Sequence, residues 1–323
     1  MSVRSWSKNE MAGPGRRSIV CVNGRFLPSD GAVVPVQDRG FQTGFGVFET
    51  MRVQDGVPLF LDAHLGRLKR SAGALGISSP CGWRRTAWCC NEVASRNPGR
   101  SGVLRVTLTA GRPVGRASHA DTPKSGARWA RGAMPGTIVV GFREPSPVPD
   151  DARSVGVSVH CAPWRRLRDY PLARHKSTSF LENIIARESV KRTRNAFEAV
   201  FLTPDGLLLE GSMSNIFVVF GERVATAALD LPVLPGITRH IVLGICRRLG
   251  LATGEEHIRY RSAGRASEMF LTNSVVGVLA VTRFDGKDVG TGRVGSITRR
   301  LMEEYEAKVR RHIARARSAD RSR

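Results

Sequence analysis

Lys176-Ser-Thr-Ser-Phe180-Leu-Glu-Asn-Ile-Ile-Ala186 and, opening 34 residues after that lysine, Glu210-Gly-Ser-Met-Ser-Asn-Ile-Phe217 are the two stretches on which the reading of this chain turns. The first sets an amine at the head of an apolar helix, expected from Thr178 to about Arg194, with Phe180, Leu181, Ile184 and Ile185 to desolvate it. Desolvation disfavours an ammonium and leaves the neutral amine that can hold an aldehyde as a Schiff base. The second sets a carboxylate at a strand end, after a hairpin turn at Pro204-Asp205-Gly206. A carboxylate facing a pyridine nitrogen keeps that nitrogen protonated and the ring electron-poor.

The chain contains seven lysines. Lys8, Lys124, Lys287 and Lys308 fall in polar loops or tails, and Lys69 and Lys191 on charged helix faces. Lys176 is therefore the candidate nucleophile, and its amine, once freed, can also move the proton at a substrate α-carbon. Downstream, Leu234-Pro-Gly-Ile-Thr-Arg239 places Ile237 and Thr238 at a helix N-terminus, where unpaired amides and the helix dipole favour a phosphate. The Thr238 hydroxyl is expected to cap this helix, which stops at Gly250.

Five segments stand in order: Val22-Asn23-Gly24, the run from Asp38 to Thr50 (D-R-G-F-Q-T-G-F-G-V-F-E-T), His64-Leu-Gly-Arg-Leu68, the lysine motif and the glutamate motif. Together they resemble the class IV, or fold type IV, aminotransferases, which include branched-chain aminotransferases, D-amino acid aminotransferases and aminodeoxychorismate lyases. The resemblance runs from about Val22 to about Lys308. It implies an α+β, two-domain fold like that of D-amino acid aminotransferase, with a small N-terminal α/β domain and a larger C-terminal domain built on a mixed, barrel-like sheet. It also implies pyridoxal 5'-phosphate as cofactor, with Lys176 as its anchor and Glu210 on its ring nitrogen. Arg67 and Ser274 take the places of phosphate ligands beside Ile237 and Thr238, and Ser212, Ser214 and Asn215 surround the cofactor or its glutamate. A homodimer in which one subunit completes its neighbour's cleft is implied as well.

The substrate side departs from the family. Where relatives often carry tyrosines, the chain has Phe41, Thr43 and Phe180, and phenylalanine donates no hydrogen bond. Phe45 replaces an aspartate. Arg105 and Arg112 are the candidate substrate-side cations, Arg105 reading equally well as a structural strand residue. The substrate is expected to be an amino acid or other amino-carboxylate. The phrases K-S-T-S-F-L-E-N, F-L-T-P-D-G and F-L-T-N-S lean slightly to the lyase branch, which forms 4-aminobenzoate and pyruvate from aminodeoxychorismate. The alternative is a branched-chain or D-amino acid aminotransferase. A more distant one is a non-catalytic nucleic-acid or partner-binding protein on the same fold.

Composition sets the bounds. With 323 residues, 41% of them hydrophobic, the chain can bury two ordinary cores. It has no apolar run of membrane-spanning length, and the short stretch after Arg16-Arg17 lacks a cleavage site, so a cytoplasmic protein is expected. The six cysteines lack metal-ligand spacing and read as thiols in a reducing compartment; no metal is expected. A net charge of +22 invites a nucleic-acid partner. Yet the arginines are dispersed and no recognition motif accompanies them, so none is expected.

Along the chain, residues 1–17 read as a disordered arm and 18–143 as the small domain. Residues 144–151, rich in proline, read as a linker, 152–307 as the large cofactor domain and 308–323 as a basic, frayed tail. Strands are expected at Ile19 to Val22, Arg25 to Leu27, Gly46 to Val53, Val103 to Thr109, Thr137 to Phe142 and Val155 to Cys161. A helix capped by Asp62 is expected to end at Gly76, and residues 111–136 to form a long mobile loop.

Overall fold

Alternating apolar residues broken by Asn-Gly start the N-terminal unit. Strands β1 (Ile19–Val22) and β2 (Arg25–Pro28) pair across Asn23 and Gly24, whose φ values of 49° and 83° supply the left-handed turn that suits strand twist. The computed structural model describes residues 18–97, 101–113, 134–144, 149 and 151–321, and the chain divides into two units, Met1–Pro145 and Ser146–Arg323. The arm, most of the long loop and most of the linker expected from the sequence lie outside the described residues.

In the first unit, helix α1 (Arg39–Thr43) is capped by Asp38, which accepts from the Gly40 amide. Strand β3 (Gly46–Gln54) turns through Asp55-Gly56 into β4 (Val57–Pro58). Helix α2 (Leu61–Ala74), β5 (Ile77–Ser78) and α3 (Gly82–Arg96) follow, then β6 (Gly102–Thr109), β7 (Met134–Pro135) and β8 (Thr137–Arg143). The six-stranded sheet has the order β2-β1-β8-β6-β3-β4 and is antiparallel throughout. Its core brings Met51, Leu104 and Leu108 of the sheet against Leu68, Cys90 and Val93 of the helices. Asp62 lies in the first turn of α2, but Phe60 is the capping position, at a φ of 55°.

The second unit opens with α4 (Ala152–Val155) and β9 (Val157–Cys161), so the strand expected from Val155 starts two residues later. Helix α5 (Leu181–Arg194) leads into β10 (Glu198–Leu202), β11 (Leu208–Gly211), β12 (Asn215–Phe220) and β13 (Arg223–Ala227). Helix α6 (Ile237–Arg248), β14 (Thr253–Glu256), α7 (Tyr260–Ala263), β15 (Glu268–Asn273), β16 (Gly277–Phe284), β17 (Lys287–Asp288) and α8 (Ser296–Arg321) complete it. The sheet order is β11-β10-β9-β16-β15-β12-β13-β14, with β17 on β16. It is mixed, because β9 runs parallel to both β10 and β16. Both sheets curl as half-barrels. The buried Phe217 and Phe270 stack across β12 and β15 at 4.8 Å; their strand neighbours Ile216 and Leu271 belong, with Val200, to the core on the other face of the sheet.

Three helices differ from expectation. Helix α5 begins at Leu181, three residues later than expected, because Phe180 and not a hydroxyl residue stands at its N-cap. Its Leu181, Ile184 and Ile185 are 66%, 46% and 48% exposed, so within this chain they do not form the apolar surround expected for Lys176. Helix α6 starts at Ile237 with Gly236 at its N-cap and no capping side chain, so Thr238 sits inside the helix rather than capping it. The basic tail, expected to fray from Lys308, continues α8 as helix to Arg321. Val309 and Ile313 explain this, since both are buried on the inner face while Arg310, Arg311, Arg315 and Arg317 are exposed.

Candidate active site

Glu210 is the third residue of β11 and 6% exposed, so its charge has left water and must be matched by the protein. Arg166 Nη1 donates to Oε1 at 3.0 Å. Asn215 Nδ2, at 3.2 Å, and the Leu234 amide, at 2.8 Å, donate to Oε2. Burial pushes the Glu210 carboxyl up, while the Arg166 charge, the Leu234 amide and the Lys176 charge pull it back toward ionisation. A carboxylate accepts about four hydrogen bonds, so these three donors leave room for one more, such as a protonated ring nitrogen.

Arg166 organises the surroundings. Its second terminal nitrogen donates to Glu182 at 3.3 Å and to Asn183 at 3.5 Å on the first turn of α5, and its guanidinium lies 3.8 Å from the Phe201 ring centroid. One buried cation thereby ties α5 to β11. Lys176 occupies a non-helical segment ahead of α5, half-buried, with Nζ 5.3 Å from the centroid of the Phe180 ring. Thus Phe180, which stands where relatives often carry tyrosine, meets the lysine through its π face.

Asn215 connects Glu210 to the next motif. The same Nδ2 that reaches Glu210 donates to the Leu234 carbonyl at 2.9 Å. Gly236 is required here, because a Cβ at that position would overlap Asn215 Oδ1. The start of α6, which has no capping side chain, therefore lies against the glutamate motif. Across the sheet, Thr272 pairs with Asn215 and so shares its face. Its buried hydroxyl is without a hydrogen-bond partner, and Ser274 lies two residues on, in the turn after β15. An acidic acceptor with room for a donor, a nearby lysine, an uncapped helix start and an orphaned hydroxyl fit a phosphorylated pyridine aldehyde.

The remaining predicted residues divide by unit. Ser212 and Ser214 do not touch Glu210; both hydroxyls donate to a different carboxylate, Glu198. In the N-terminal unit Arg67 is buried on α2 and grips Glu49 of β3 with two bonds, Nε to Oε1 at 2.7 Å and Nη2 to Oε2 at 2.8 Å. His64 Nδ1 lies 2.7 Å from the same Oε2. Burial pushes the Glu49 carboxyl up, but Arg67 and His64 outweigh it and hold it at about 2. Arg105 lies over the Phe48 ring at 3.7 Å and donates to Thr107 at 3.3 Å. Thr43 is exposed and donates to the Arg39 carbonyl at 2.8 Å, Phe41 is 75% exposed, and Arg112 is exposed at the end of a described segment.

Arg166, Glu182, Asn183 and Glu198 are not among the candidate residues that the sequence motifs single out. A signal existed for two of them. Trp164-Arg-Arg-Leu-Arg168 is an arginine cluster beside an aromatic, and Glu198 is a lone carboxylate in the otherwise apolar run Phe197-Glu-Ala-Val-Phe-Leu202.

Residues 46–284 match the family described as Amino-transferase class IV. The chain belongs to the class IV aminotransferase family. It is 29% identical to the D-alanine aminotransferase of Bacillus licheniformis over 290 residues, covering 90% of this chain and 96% of the relative. It is 27% identical to the aminodeoxychorismate lyase of Bacillus subtilis, covering 91% and 96%. The branched-chain amino acid aminotransferase of Escherichia coli shares its fold, with a TM-score of 0.81 over 91% of this chain and 95% of that one, at 22% identity. As a member of the class IV aminotransferase and lyase enzymes, the chain falls in a pyridoxal phosphate-dependent family. No described helix is long and apolar enough to cross a membrane.

Proposed function

We propose that this enzyme transfers an amino group from an amino acid to a 2-oxo acid, with pyridoxal phosphate carried between Lys176 and Glu210. The observation that carries the reading is the buried Glu210 carboxylate, held by Arg166, Asn215 and the Leu234 amide within the field of Lys176. The cofactor, when bound, supplies an electron sink for the bond broken at the substrate α-carbon. Glu210 contributes a fixed negative charge that keeps a ring nitrogen protonated. Arg166 keeps that carboxylate ionised despite its burial, because neutralising Glu210 would strand a buried guanidinium. The α6 amides at Ile237 and Thr238, with the Ser274 hydroxyl, receive the phosphate. Lys176 Nζ would hold the aldehyde, and as a free amine it would take and return the α-proton. Arg67, oriented by Glu49, is a further phosphate ligand.

Transamination is favoured over the lyase reaction leaned to from sequence phrases alone, because the B. licheniformis D-alanine aminotransferase matches at the higher identity of the two relatives. Both reactions begin with removal of the same α-proton, so one experiment separates them. Purified protein with pyridoxal phosphate is offered D-alanine, L-leucine or L-glutamate with a 2-oxo acid, and separately aminodeoxychorismate. The expected result is amino transfer from one of the amino acids and no 4-aminobenzoate. Release of 4-aminobenzoate and pyruvate without amino transfer would overturn the assignment in favour of the lyase.

We further infer a homodimer. Leu181, Ile184 and Ile185 leave an apolar strip on α5, and in the other unit Val33, Val36 and Phe41 are 76%, 65% and 75% exposed. Exposed apolar side chains on each unit are of the kind that association covers.

A further inference from the structure

The proposed chemistry makes no use of Glu198, although its carboxylate is more deeply buried than that of Glu210. It opens β10, is 1% exposed, and among the described residues no cation hydrogen-bonds to it. Its partners come from its own strand and from one turn. The Ser212 hydroxyl and the Ala199 amide, at 3.2 Å, donate to Oε1; the Met213 amide, at 3.2 Å, and the Ser214 hydroxyl, at 3.1 Å, donate to Oε2. Four donors fill the acceptor capacity of one carboxylate, which makes it a pure acceptor here.

That turn is the chain between Glu210 and Asn215, the two side chains that bond each other in the site. The Gly211 amide closes it by donating a hydrogen bond to the Ser214 carbonyl at 2.7 Å, and a Cβ on Gly211 would overlap Ser214 Oγ. The Ser212 carbonyl accepts from Asn183 Nδ2 at 2.7 Å, and Asn183 Oδ1 accepts from Arg166, which holds Glu210. A ring of bonds therefore runs from Ser212 through Asn183 and Arg166 to Glu210 and is closed by the backbone from residue 210 to 212, and Glu198 holds that ring at Ser212. Ser212 and Ser214 face Glu198, while Glu210 and Asn215 hold each other.

We propose that Glu198 is a positioning residue for Glu210, its carboxylate pinning the Ser212–Ser214 turn so that Glu210 and Asn215 keep the geometry that faces the cofactor ring. This rests on the cofactor reading above. Isosteric Glu198→Gln is the informative variant, because its NH2 group points two hydrogens at groups that are themselves donors. Ser214→Ala removes a single anchor and keeps the charge. Glu210→Gln is the reference.

In full-length protein, amide hydrogen exchange at Gly211, Ser212 and Met213 is measured with and without pyridoxal phosphate. In the loaded protein, the pH midpoint of the cofactor's visible absorbance and the steady-state kinetics are also measured. Glu198→Gln is expected to speed exchange at Met213 by about 10-fold, the equivalent of one lost hydrogen bond. It is also expected to move the absorbance midpoint in the same direction as Glu210→Gln and to lower kcat with little change in KM. Ser214→Ala should do the same to a smaller extent, and it decides the matter should Glu198→Gln not fold. Faster exchange with a parental midpoint and kcat would show mere structural support and overturn the proposal, as would unchanged exchange in both variants. If the parent protein takes up no pyridoxal phosphate, the cofactor reading fails and the proposal with it. If the parent binds normally and the variants keep its midpoint, the proposal alone fails.

Discussion

At the scale of single residues, the site is defined by which charges the protein has taken out of water and how it has matched them. Lys176 is placed near a buried carboxylate, Glu210, that its charge stabilises. Lys176→Ala is expected to abolish covalent retention of pyridoxal phosphate: borohydride reduction followed by intact-mass measurement should show an adduct on the parent and none on the variant. Arg166 is the residue that sequence motifs did not single out, yet it spans Glu210, Glu182 and Asn183. Arg166→Met leaves Glu210 without its cation in a buried setting, and removal of one partner of a buried pair costs about 3–5 kcal/mol. Denaturant unfolding should register that loss, and activity should fall with it because a Glu210 that takes up a proton no longer holds charge opposite the ring.

At the scale of elements, carboxylates join one element to another. Glu49 of β3 binds Arg67 and His64 of α2, and these partners hold it at about 2, below its ordinary 4.5. A carboxyl whose pKa is lowered by folding contributes stability that is complete above its unfolded value and is lost as pH falls through its folded value. The window here is therefore pH 4.5 down to about 2, and the contribution is about 3 kcal/mol. Acid unfolding followed by circular dichroism should show a steeper loss of stability in that window for the parent than for Glu49→Gln, which is expected to be less stable than the parent at neutral pH. Helix α8 is tied by packing: Leu301, Tyr305, Val309 and Ile313 lie on its buried face. Its arginines are solvated while its inner stripe is not, so a segment that looks frayed by charge is held by hydrophobic spacing.

At the scale of the whole molecule, two units each carry their own sheet and their own hydrophobic core. The exposed strip on α5 is the surface for which the inferred dimer supplies a reason. Changing Ile184 and Ile185 together to Asp, both positions being exposed in the single chain, is expected to leave the fold intact and to shift the sedimentation coefficient from dimer to monomer. A parent that sediments as a monomer at micromolar concentration would overturn the dimer. The +22 charge is dispersed over both units, so it acts on solubility and on the approach of anionic substrates more than as a docking surface.

The two-unit α+β fold, most strands and the Asn23-Gly24 hairpin were legible in the chain, because they depend on alternation, turn chemistry and short motifs that act locally. Helix starts were less legible: Thr178 reads as the start of a helix and Thr238 as a cap, but Phe180 and Gly236 occupy the capping positions once the neighbouring strands are in place. The partners of the buried carboxylates were settled only by tertiary structure. Ser212 and Ser214 follow Glu210 directly, yet they bond Glu198, because the turn after β11 folds back on β10 and carries their hydroxyls to the other carboxylate. Arg166 is 44 residues from Glu210. No local pattern encodes which anion a buried arginine will meet; that choice belongs to the sheet, whose strand order brings distant residues close enough to replace the water that folding removed.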